Sequence, residues 1–77
     1  MLFRSVKDFP EVVDVHDIAV KKAGDRLNLS FHCTMPDEMP MSRVHDVITA
    51  LETRIKQESP ELFKVLIHPE PRTDNRR

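Results

Sequence analysis

The sequence predicts a small two-layer α+β domain: a three-stranded mixed sheet with helices on one face, in the order α-β-β-α-β. Three observations lead there. Leu27, Leu29, Phe31, Cys33 and Met35 alternate with Asn28, Ser30, His32 and Thr34, which is the period of a half-buried strand. Met41, Val44, Ile48, Leu51 and Ile55 recur every three or four positions, as on one stripe of an amphipathic helix of about four to five turns. A length of 77 residues leaves room for one domain.

The elements follow in chain order. Leu2, Phe3, Val6 and Phe9 stand at helical spacing. Pro10 stops the run, because a residue before proline is pushed out of the α region, so residues 1–10 are expected to close a helix. The stretch 12–22, rich in Val and Ile, predicts the first strand, and Ala23-Gly24-Asp25 a turn holding the only glycine. Residues 27–35 then return antiparallel. Residues 36–40 read as a loop, with Pro40 suited to the first turn of a helix over 41–58. Ser59-Pro60 ends that helix. Residues 62–67 predict the last strand, with Pro69 and Pro71 expected to terminate it. A hairpin followed by a helical crossover sets the last strand parallel to the second when the two are neighbours. The domain is expected to span 1–71, followed by a flexible polar tail, 72–77.

Composition excludes several functions. Twelve Lys and Arg against 13 Asp and Glu give a charge of −1, without the cationic excess that a nucleic-acid binder needs to meet phosphates. An RNA-binding sheet would also present aromatic side chains for base stacking; the chain has no Trp or Tyr, and Phe31 is expected to point inward. The single Cys forms no internal disulfide and fits a reducing, cytosolic setting. No window approaches the ~18 apolar residues of a membrane helix. There is no glycine-rich phosphate loop and no activated nucleophile, so the chain is not expected to be an enzyme. Cys33 reads as a buried thiol rather than a soft ligand. Met35, Met39 and Met41 read as cover for a thin core rather than a thioether copper site. Lys21, Lys22 and Arg26 read as a solvated hairpin tip.

The histidines are the informative residues. If the first strand runs upward, His16 lies near its bottom. The second strand descends and ends just past His32, the helix starts below with His45 in its first two turns, and the last strand descends to His68 and Glu70. All four histidines therefore fall at one pole. With Leu27, Leu29, Phe31 and Cys33 facing the helices, His32 points to the uncovered face. With Phe63, Val65 and Ile67 inward, Leu66, His68 and Glu70 share that side. A two-residue Gly24-Asp25 turn sets Asp17, not His16, opposite His32. His16 then needs a bulge or a place before regular pairing begins, and Asp17 stands as fallback ligand or supporting partner. Neutral imidazoles with a carboxylate suit a borderline divalent ion such as Zn²⁺ at ~2.0–2.2 Å. His16, His32, His45, His68 and Glu70 exceed one tetrahedral shell, which implies two adjacent ions with a shared ligand or one ion with spare groups.

These residues resemble a known family from about Phe9 to Pro71. Phe9-Pro10-Glu11-Val12 followed by Val15-His16-Asp17-Ile18, then Leu29-Ser30-Phe31-His32, then Met41–His45, then Ile67-His68-Pro69-Glu70-Pro71 are similar, in order and spacing, to the cytosolic C-terminal domain of the cation diffusion facilitators. Val44 stands where that family commonly has Ala. The resemblance implies a ferredoxin-like (metallochaperone-like) fold and a V-shaped homodimer in the cytoplasm. It aligns His16, His32, His45, His68 and Glu70 with positions that bind regulatory zinc or related ions. In full transporters the domain follows a six-helix membrane unit that exchanges a cytosolic metal ion for protons, and metal entry draws the two cytosolic domains together. That membrane unit is not in this sequence, so the chain alone is not expected to move ions; it is either an excised domain or a free-standing homologue that buffers or senses metal. Zn²⁺ leads the candidate ions; Co²⁺, Ni²⁺ and Cu²⁺ also suit imidazole-rich shells, and Cd²⁺, Fe²⁺ and Mn²⁺ belong to the same divalent class. The rival expectation is a metal-independent interaction module whose open sheet face dimerises.

Overall fold

The computed structural model describes residues 4–72. A 3-10 helix over Arg4–Asp8 is followed by β1 (Asp14–Ala23), β2 (Arg26–Met35), α1 (Met41–Glu58) and β3 (Leu62–Pro71). The sheet order is β1-β2-β3, with β1 antiparallel and β3 parallel to β2. This is the predicted α-β-β-α-β domain with its mixed three-stranded sheet.

The opening helix is shorter and tighter than the spacing of its apolar residues predicted. Leu2 and Phe3 lie outside the described residues. Val6 and Phe9 pack against the core, and Arg54 on α1 donates to Asp8 (2.6 Å) while Arg43 donates to Glu11 (2.8 Å), which ties this segment to the helix. β1 begins later than expected because the Val12 N–H turns back to the Phe9 carbonyl (2.9 Å). Between β1 and β2 lies a two-residue Gly24-Asp25 loop, in which Gly24 has φ +67, a backbone angle that favours glycine at the first central position of a hairpin turn.

α1 runs over the predicted span. Pro40 lies just outside it as the N-cap, where its carbonyl accepts from Val44 N–H (3.0 Å); at the other end Ser59 N–H caps Ile55 (2.9 Å). The buried stripe differs from the predicted one. It is Val47, Leu51 and Ile55, with Val44 and Ile48 on its flanks and Met41 82% exposed. The spacing of four selects the residues directly over the sheet, and Met41 lies one turn beyond its edge. Leu29, Phe31, Cys33, Leu51 and Ile55 are the fully buried centre of the core.

Two expectations for β3 are corrected. Pro69 and Pro71 do not end the strand, which pairs with β2 through Cys33↔Pro69 and Met35↔Pro71. The two prolines, two positions apart, turn the side lacking an N–H the same way, and an edge strand leaves one side unpaired at no cost to the ladder. Phe63 does not point into the core. A register shift between Leu27 and Asn28 lets Leu62 take the core position, and Phe63 is 52% exposed with the Arg26 guanidinium 4.2 Å from its ring centroid. Burying a flexible Leu there leaves the larger ring to a cation–π contact at the surface.

Candidate metal centre

The site begins with one irregularity in the hairpin. From the Gly24-Asp25 turn the register runs regularly through Ala23↔Arg26 to Ala19↔Ser30, then shifts, and resumes at His16↔His32. Continued without a shift, that register would set Asp17 opposite His32 and His16 opposite Cys33, on the helix-covered side. Instead Asp17 and Ile18 together oppose Phe31. This is a β-bulge, and Asp17 within it has φ +54, the only positive φ outside glycine among the described residues. Aspartate is among the few residues that tolerate this region. The extra residue turns every side chain N-terminal to it to the other face, and so delivers His16 to the open side of the sheet.

Three histidines then form a row across the sheet, His16↔His32↔His68, with Asp14↔Thr34↔Glu70 as the next row. The His32 and His68 rings stack at 4.8 Å between centroids, and His16 lies 5.8 Å from His32. Glu70 clasps two of them: His32 Nδ1 donates to Oε2 (2.6 Å) and His16 Nε2 to Oε1 (3.1 Å). With those nitrogens protonated, the lone pairs are on Nδ1 of His16 and Nε2 of His32. His16 Nδ1 is buried and makes no hydrogen bond, although Asp14 Oδ2 is 3.2 Å away. A buried imidazole nitrogen that makes no hydrogen bond and has a carboxylate 3.2 Å away, within a half-buried His/carboxylate cluster, is one that a divalent ion would suit.

His45 is placed apart from the row. It is exposed on α1, in the layer that covers the opposite face of the sheet, and among the described residues no hydrogen bond, ion pair or ring contact joins it to the other three. It does lie at the same end of the molecule: Met41 and Val44 of the first helical turn share an apolar cavity of about 260 Å³ with Pro69, Glu70 and Pro71. Asp17 is closer to the cluster than its exposure suggests, since one ligand atom each from His16, Asp17 and His32 lie within 4.8 Å of one another.

The hydrogen bond from His32, with a second from His16, holds the Glu70 carboxyl below the ordinary carboxylate range, against a smaller opposing effect of burial. Because the folded value is depressed, the clasp is complete above the ordinary Glu pKa of about 4.3 and is lost as pH falls through the lower folded value. Carboxyl-carbon NMR on the metal-free chain is expected to place the Glu70 midpoint below the ordinary Glu value of about 4.3; a midpoint at that value would refute the clasp. Cys33 faces the core, and burial, with the nearby Glu70 charge, pushes its thiol up to about 11. It is therefore protonated at neutral pH in the metal-free chain, and it is fully buried on the core side of the sheet, away from the row of imidazoles.

The sequence profile of the family described as cation efflux protein, cytoplasmic domain, matches residues 2–72. No curated protein matches the chain. Among solved structures, the metal-bound C-terminal domain of the CzcD transporter from Thermotoga maritima superposes with a TM-score of 0.86 at 18% identity, over 91% of this chain and 81% of that one. The cytosolic domain of a cation diffusion facilitator family protein gives 0.87 at 18% identity, over 94% and 86%. CzrB, described as a zinc transporter and solved in a Zn form, gives 0.82 at 29% identity, over 97% and 83%. The first two likenesses speak for the ferredoxin-like fold alone. Among the described residues, no helix is long and apolar enough to cross a membrane.

Proposed function

This chain belongs to the cation efflux protein family, as a cytoplasmic domain, and on that premise we propose that it is the metal-sensing, dimer-forming regulatory part of a cation diffusion facilitator. The ion it senses is divalent, with Zn²⁺ first, and the transporter it serves exports such ions in exchange for protons. The observation that carries the reading is the row of three imidazoles with Glu70 clasping two of them on an otherwise uncovered sheet face. His16, His32, His68 and Glu70 form the ligand set within one protomer. A tetrahedral shell with bonds of ~2.1 Å spaces its ligand atoms ~3.4 Å apart, so the rings, whose centroids stand 4.8 and 5.8 Å from their neighbours, would have to rotate and draw together to close on an ion. His45, exposed on the helix layer, is the one further candidate ligand that this protomer holds apart from the row.

Charge drives the closing step in this reading. Two carboxylate-bearing faces repel until a divalent ion neutralises them, after which the protomers of a V-shaped homodimer draw together and favour transport. Titrating the metal-free chain with Zn²⁺ while recording small-angle scattering tests this. Uptake of Zn²⁺ with a dimer whose profile compacts is expected; a chain that takes up no Zn²⁺ and keeps its profile refutes it.

A second reading has its own observation. Leu66, 49% exposed, stands on the uncovered face, and Phe63 is exposed near its far end. These suit a metal-independent dimerisation module, which would be recognised by a dimer that forms equally with and without Zn²⁺.

A further inference from the structure

Three of the chain's four methionines line one cavity, and the imidazole row uses none of them. Met35 is the last residue of β2 and pairs with Pro71, which lines the same cavity from β3. The chain then turns back at once: Met39 N–H donates to the Pro36 carbonyl (3.2 Å), and Pro40 leads into α1 at Met41. The fixed φ of Pro36 and Pro40 leaves this turn little freedom to lose. A strand end, a turn and a helix start thus bring Met35, Met39 and Met41 around about 260 Å³. Core cover accounts for only part of this. Met35 is 2% exposed and Met39 packs against the core, whereas Met41 is 82% exposed and buries almost nothing. The charge at the cavity has one sign: Asp37 and Glu70 share its lining with the methionines, and among the described residues no Lys, Arg or His does.

We propose that Met35, Met39 and Met41 form a thioether site for a soft monovalent cation of the Cu⁺ class, separate from the imidazole row. Donor chemistry selects the ion. Hard cations such as Mg²⁺ and Ca²⁺ take oxygen shells, and Zn²⁺ takes thiolate, imidazole or carboxylate, whereas thioethers favour Cu⁺. Three neutral sulfurs leave the bound ion its single positive charge, which the two carboxylates in the wall offset within otherwise apolar surroundings. Methionine is unbranched and turns about three side-chain bonds, so the exposed Met41 can swing its sulfur onto an ion that Met35 and Met39 hold from the core side. None of His16, His32 and His68 is a donor here, so the site is independent of the divalent-ion reading.

Ag⁺, a redox-inert ion with the same preference for thioethers, is the probe, used in chloride-free buffer. In NMR of the chain with labelled methionine methyl groups, Ag⁺ is expected to shift the Met35, Met39 and Met41 signals together and to saturate at one equivalent. Met41→Leu and Met39→Leu each keep apolar bulk and remove one sulfur, and Met41 lies outside the core. Both variants are expected to stay folded by circular dichroism, to bind Zn²⁺ as the parent does, and to lose roughly tenfold or more in Ag⁺ affinity at this site. Ag⁺ that leaves the three methyl signals in place and goes to Cys33 or the imidazoles overturns the inference, and so does unchanged Ag⁺ affinity in both variants. A parent chain that takes up no Zn²⁺ yet shifts the three signals with Ag⁺ overturns the metal-sensing reading and leaves this site standing.

Discussion

His32→Ala is expected to weaken Zn²⁺ binding by on the order of 100-fold, about 2.7 kcal/mol, while leaving the fold intact. His32 is the centre of the row. Its Nδ1 meets Glu70 at 2.6 Å, its ring stacks on His68 at 4.8 Å, and His16 stands 5.8 Å away on the other side. Every two-imidazole combination of neighbours in the cluster includes it, so its removal leaves ligands on β1 and β3 with the width of β2 between them. The side chain is half-buried on the open face, outside the apolar core, so the stability of the metal-free chain is expected to change by less than about 1 kcal/mol. Competition with a chromophoric chelator measures the affinity and urea denaturation the stability. An affinity within threefold of the parent would refute the row as the binding site.

Phe31→Ala is the second large effect, and it acts on the other face of the same strand. Phe31 is fully buried between the sheet and α1. Its truncation removes the largest side chain at the centre of a thin core and leaves a cavity, at a cost of about 3–5 kcal/mol. A domain of this length holds a total stability on the order of 4–12 kcal/mol, so the variant is expected to be largely unfolded in mild urea. If the metal centre is built on the folded sheet alone, Zn²⁺ at 100 times its dissociation constant restores about 2.7 kcal/mol of that loss. A loss below about 1.5 kcal/mol in urea denaturation without metal would contradict the packing described for this ring.

Much of the fold was legible in the sequence because local periodicity and tertiary burial agree there. β2 alternates cleanly since it is the central strand with one covered face, and α1 begins and ends where Pro40 and Ser59-Pro60 leave the backbone no alternative. Disagreement arose at strand β3, where local rules compete with position. Proline breaks a central strand but is harmless on the free side of an edge strand, and alternation counted from Val65 puts Phe63 inward unless a register shift intervenes. Val47 was missing from the expected stripe for a similar reason: several apolar residues on α1 fit a helical period, and only the placement of the sheet beneath decides which of them are covered.

The candidate centre divides along the same line. Chain direction was enough to bring His16, His32, His45 and His68 to one pole, and alternation was enough to put His32, His68 and Glu70 on one face. Alternation could not decide between His16 and Asp17, because a strand slipped by one residue exchanges its two faces, and the turn alone argues for Asp17. The bulge resolves that ambiguity by keeping both: His16 enters the row, and Asp17 keeps a carboxylate oxygen within 4.8 Å of a ring nitrogen of His16. What the amino-acid order determined by itself is the number and direction of the elements, and hence the pole where the imidazoles gather, since these follow from side-chain period and from where proline and glycine fall. What only the tertiary structure decided is which groups meet. Contact across strands depends on register, and register here turns on a single extra residue whose positive φ leaves no periodic trace in the sequence.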